Sequence, residues 1–108
     1  IKKPMNLDFG LTHSDLHAIK QVLAKYPQIE QAIIFGSRAK GNYKPGSDVD
    51  IALKGAHLTS QLINRVSFEL NEETTMPYHF DVLNFHVLSE PALIEHIKRV
   101  GKVLYENA

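Results

Sequence analysis

Two carboxylates and a small turn stand out from an otherwise ordinary chain: Gly36-Ser37, then ten residues, then Asp48-Val49-Asp50. Two acids at i and i+2 on a strand point to one face, roughly 6–7 Å apart along the backbone. At that separation they repel unless a cation lies between them. Magnesium suits such a pair, because it takes oxygen ligands and needs few from protein when phosphates supply the rest. Gly36 allows a sharp turn and a close backbone approach. Ser37 adds a hydroxyl, and a helix beginning there aims free N–H groups at an anion. Arg38, Lys40 and Lys44 bring positive charge to the same stretch. A phosphate cradle beside metal-binding carboxylates describes a nucleoside triphosphate site.

Competing motifs fail on particular residues. Gly36 and Gly41 have P-loop spacing, but Asn42-Tyr43 follows where Lys and Ser/Thr are required. An EF-hand loop needs an oxygen ligand where Ala52 stands. His13 and His17 are a helical pair four apart, but Ser14 breaks the zinc-protease pattern and no third ligand follows. His79 lies two residues before Asp81, and Tyr43 sits in the loop between the two motifs; both read first as surface groups. Glu69, Glu72 and Glu73 read as a solvated helix face.

The elements that must position these groups follow from periodicity. A helix from Thr12 carries Leu16, Ile19, Leu23 and Tyr26 on one face and ends at Pro27. Strands are expected at Ala32–Phe35 and Asp48–Leu53. Thr59 caps a helix with Leu62, Ile63, Val66 and Leu70 inward. Residues 79–85 alternate as a third strand, which Asp81 enters as an acid among apolar neighbours. Ser89-Glu90-Pro91 starts a helix with Leu93, Ile94, Ile97 and Val100, closed by Gly101, and Val103–Tyr105 makes an edge strand. The order implies an α/β (α+β) domain with a mixed sheet of about four strands packed by helices. With 108 residues, a single domain spanning 1–108 is expected, residues 1–10 forming an N-terminal arm.

Twelve basic and twelve acidic side chains leave a net charge of +0, which speaks against direct nucleic-acid binding and a membrane-surface role. The charge is uneven: residues 1–54 hold eight basic and five acidic groups, residues 55–108 four and seven. With no cysteine, a disulfide scaffold, a thiol nucleophile and Cys-ligated zinc are excluded, and a reducing, cytoplasmic setting fits. No apolar run reaches the ~18–20 residues of a membrane span, and no signal-like segment is expected at the start.

The pattern GSRAKG…SDVDIAL resembles the signature of the DNA polymerase β-like nucleotidyltransferases, and within them the minimal nucleotidyltransferases (MNT). The predicted element order resembles that family over most of the chain. Lys40 departs from it where many relatives carry Arg, keeping charge but losing bidentate geometry. The resemblance implies a third carboxylate at Asp81, so that Asp48, Asp50 and Asp81 form the catalytic and metal-binding set for two Mg2+ ions. It implies nucleotide binding at Gly36, Ser37 and Arg38, with ATP as substrate. It further implies a helical HEPN-domain partner, a ribonuclease toxin silenced by transfer of AMP to a tyrosine, this chain being the antitoxin. Two alternatives stand beside that expectation: a non-catalytic subunit that neutralises the HEPN partner, and a transferase acting on a small molecule or RNA in a pocket the partner supplies.

Overall fold

A computed structural model describes residues 8–107. Positions 1–7 of the expected N-terminal arm lie outside them; from Asp8 a short bridge to Leu11 leads into the first helix. That helix, α1 (His13–Ala24), begins with a capping box in which the Thr12 hydroxyl accepts from the Asp15 N–H at 3.0 Å and the Asp15 carboxylate accepts from the Thr12 N–H at 3.1 Å. The chain then forms β1 (Gln31–Phe35), a five-residue helix α2 (Gly36–Lys40), β2 (Val49–Lys54) and α3 (Ser60–Glu72). It finishes with β3 (Phe80–Asn84), a 3-10 turn at Phe85–Val87, α4 (Pro91–Val100) and β4 (Lys102–Glu106). Thr59 caps α3 through the Leu62 N–H at 3.1 Å, and Pro91 occupies the first turn of α4.

The four strands make one mixed sheet in the order β3-β2-β1-β4. β1 runs antiparallel to both β2 and β4, whereas β2 and β3 are parallel, with α3 as the crossover. The C-terminus of β1 therefore meets the N-termini of β2 and β3 at one end of the sheet.

Alternation divides the strand residues between two cores. Ile34, Val49, Ile51, Leu53 and Phe80 pack on Leu16, Ile19 and Leu23 of α1 and on Leu62, Val66 and Leu70 of α3. On the opposite face Ile33, Phe35 and Ala52 pack on Ile97 of α4. Each fully buried aliphatic or aromatic side chain contributes about 1.5–3 kcal/mol, so both faces strongly specify register. Among the described residues no helix is long and apolar enough to cross a membrane.

Candidate active site

Strand pairing assembles the acids. Phe35 of β1 lies opposite Asp50 of β2, and Asp50 lies opposite Asp81 of β3. Asp48 sits just before β2 on the same face, the one shared with Phe35 and Ala52 and covered by α4. The chain turns away from β1 at Gly36, whose φ of +75° is the left-handed conformation glycine adopts freely. A Cβ at Gly36 would collide with the Asp50 carboxylate, so the turn can lie against that acid only without a side chain. The Gly36–Ser37 turn and the acidic row, 44 residues apart from Ser37 to Asp81, thus occupy one end of the sheet.

The electrostatics follow from this crowding. Burial, and after it the charges of Asp81 and Asp48, push the Asp50 carboxyl from an ordinary 3.8 up to about 6, with His79 acting in the opposite sense. Asp81 Oδ1 also lies 3.2 Å from His79 Nε2, with both side chains exposed. Among the described residues no three acidic or imidazole groups are already drawn together into a cation cage. The donor set still fits magnesium: three carboxylates on one face, none tied to a Lys or Arg among the described residues, and a central acid whose ionisation its neighbours oppose. A divalent ion would relieve that repulsion.

Arg38 is not where the sequence places it. It is 3% exposed, and its guanidinium turns into the protein, away from the turn it was expected to charge. Its Nε and Nη2 donate to the Ser47 carbonyl at 3.1 and 2.8 Å, and Nη1 donates to the Phe9 carbonyl at 2.9 Å. The plane stacks on the rings of Tyr78 and Tyr43, 4.8 and 5.4 Å from their centroids. A buried cation needs such partners, and what Arg38 holds is the residue immediately before Asp48. In the same sequence stretch Lys40 and Lys44 are exposed.

Two further groups support the acidic row. Asn71 of α3 acts like a strand neighbour to Phe80: its Oδ1 accepts from the Phe80 N–H at 2.8 Å and its Nδ2 donates to the Phe80 carbonyl at 2.9 Å. Asp81 follows directly, so α3 sets where β3 starts. His96 of α4 accepts the Gly36 N–H at Nε2, 3.1 Å away. Glu69 corrects the expectation of a solvated acidic face: it is 7% exposed and accepts from Lys25 Nζ at 2.7 Å and from the Tyr26 hydroxyl, while Glu72 and Glu73 are exposed. Leu62, Val66 and Leu70 are buried in the core, leaving Phe68 as the exposed aromatic of α3.

A family model described as polymerase beta, nucleotidyltransferase matches residues 17–108. No curated protein matches the chain. Among solved structures, a chain of a toxin–antitoxin complex with AMP-PNP superposes with a TM-score of 0.70 at 22% identity, covering 85% of this chain and 73% of the other. A chain of the MntA–HepT toxin–antitoxin complex gives 0.66 at 19% identity, covering 89% and 74%. A structure of the tri-AMPylated Shewanella oneidensis HEPN toxin with its MNT antitoxin gives 0.65 at 20% identity, covering 87% and 71%. At these identities the likeness is one of fold.

Proposed function

Because the chain belongs to the polymerase β nucleotidyltransferase family, we propose that it transfers AMP from ATP to a protein hydroxyl, a tyrosine of a HEPN ribonuclease toxin, and thereby serves as that toxin's antitoxin. Nucleotidyl transfer comes with the family. The choice of donor, acceptor and partner draws on structures of the same fold that are described as toxin–antitoxin complexes, one with AMP-PNP and one with an AMPylated HEPN toxin. One observation carries the reading: the register Phe35–Asp50–Asp81, which lines up the acids beside a turn whose positive φ and close approach to Asp50 favour glycine.

In this reading Asp48, Asp50 and Asp81 hold two magnesium ions. Bound there, magnesium supplies charge neutralisation on the phosphates and eases ionisation of the acceptor hydroxyl. The remaining roles belong to the chain itself. The Ser37 hydroxyl and the first free N–H groups of α2 face the triphosphate, and Lys40 and Lys44 add charge at the rim. Arg38, through the Ser47 carbonyl, fixes the entry to Asp48. Asp81, with His79 beside it, accepts the proton of the acceptor hydroxyl. The acceptor oxygen then bonds to the α-phosphorus, the bond to the bridging oxygen breaks, and pyrophosphate leaves.

The test uses ATP labelled at the α-phosphate, magnesium and host lysate, with the chain and its Asp48→Asn form. Label on a small protein with the unaltered chain alone supports the proposal. Label on a small molecule or RNA reassigns the acceptor, and equal labelling by both forms refutes the catalytic assignment.

A further inference from the structure

We infer that His96 is a positioning residue for the nucleotide-binding turn, acting through the Gly36 N–H; the inference rests on the site proposed above. α2 is short, and its N-cap residue Phe35 has no side chain able to cap it. The first N–H of that helix is nonetheless satisfied, because Gly36 donates to His96 Nε2 at 3.1 Å. A backbone amide can only donate, so this nitrogen must carry the lone pair and the imidazole proton must reside on Nδ1. The ring also makes an edge-on contact with Phe35, at a centroid distance of 6.1 Å. Phe35 is in turn the register partner of Asp50, and Gly36 abuts that carboxylate.

One imidazole from α4 therefore anchors both residues at the junction of β1 and α2. This matters because a glycine at a positive φ has little intrinsic preference for that conformation and must be held there from outside. With His96 in place, the amides of Ser37 and Arg38 follow from a turn already set before any phosphate arrives. That is preorganisation, and its expected signature is nucleotide affinity.

The experiment compares the full chain with His96→Leu, which removes the acceptor, and His96→Gln, which restores one. Magnesium with α,β-methylene ATP is titrated calorimetrically, and amide exchange is followed by NMR without nucleotide. Leu is expected to weaken binding roughly five- to thirty-fold and Gln by no more than about threefold, the scale of one hydrogen bond. Exchange at Gly36 should quicken in Leu and recover in Gln, while α1 and α3 amides keep their protection. Unchanged or tighter binding by Leu overturns the inference, as does an equal loss in both variants, which would reduce His96 to packing on Phe35. If the unaltered chain binds no analogue, the proposed function fails. Exchange then decides the role of His96 alone: unchanged Gly36 protection in Leu overturns it, and quickening reversed by Gln upholds it.

Discussion

Replacing Asp50 by Asn should make the metal-free chain more stable. Asp50 lies between Asp48 and Asp81 and is partly withdrawn from water, so its carboxyl titrates at about 6 when folded against 3.8 as an ordinary acid. A proton affinity raised by that much corresponds to about 3 kcal/mol at full strength, at about 1.4 kcal/mol per tenfold. Solvent reaches the carboxylate, and screening reduces the figure to about 1–2 kcal/mol. The sign follows from proton linkage. Below 3.8 Asp50 is protonated in both states and costs nothing. As pH rises towards 6 the unfolded chain ionises freely while the folded one resists, so the unaltered protein loses stability relative to Asn. Urea unfolding in EDTA from pH 4.5 to 8 should show Asp50→Asn ahead by about 1–2 kcal/mol at pH 7.5 and by about a third of that at pH 4.5. If the three acids bind magnesium as proposed, millimolar magnesium should narrow or reverse the gap, since the Asn variant would lack one carboxylate. A gap independent of pH, or an Asn variant less stable at pH 7.5, would refute the reasoning.

Arg38→Lys should destabilise the fold by about 2–3 kcal/mol, because one ammonium cannot reach both the Ser47 and Phe9 carbonyls and stack between two rings; equal unfolding midpoints would contradict this. Asn71→Ala should cost about 1–3 kcal/mol and loosen the start of β3, read as faster amide exchange at Phe80. Glu69→Gln should cost about 1 kcal/mol at pH 7. Hydrogen bonds from Lys25 and Tyr26 hold the Glu69 carboxyl below its ordinary value, so this contribution is present above the unfolded pKa and is lost on acidification. A Glu69→Gln deficit that grew on acidification would be inconsistent with that contact.

The acidic row was legible because strand alternation is a short-range rule: Asp48 and Asp50 share a face whatever the rest of the chain does. The helix caps at Thr12 and Thr59 and the Pro91 start are equally local, and they stand where the spacing puts them. Whether Asp81 faces those two depends on the pairing of β2 with β3, which no local pattern encodes. The burial of the Arg38 guanidinium was illegible for the same reason. Its ligands come from Phe9, Ser47 and Tyr78, gathered by the fold, and nothing within α2 tells a buried guanidinium from a phosphate ligand. Two other groups left signals that could have been read. Glu69 follows Leu62 and Val66 at helical spacing and precedes Leu70, so it lies on the buried stripe. His96 lies three residues after Leu93 and beside Ile97, on the packing face of α4 rather than its polar one.

The parallel register of β2 and β3 also makes the hydrophobic core a proofreader of the acidic row. Slipping β3 by one residue would exchange Phe80 and Asp81, since successive side chains point to opposite faces. A carboxylate would then enter the layer of Val66 and Leu70, and a benzene ring would emerge beside Asp50. The misaligned sheet would be unstable as well as inactive, and would not persist as a well-folded but silent form. Quality control of the site thus needs no separate device, because the error that disarms it also removes the fold.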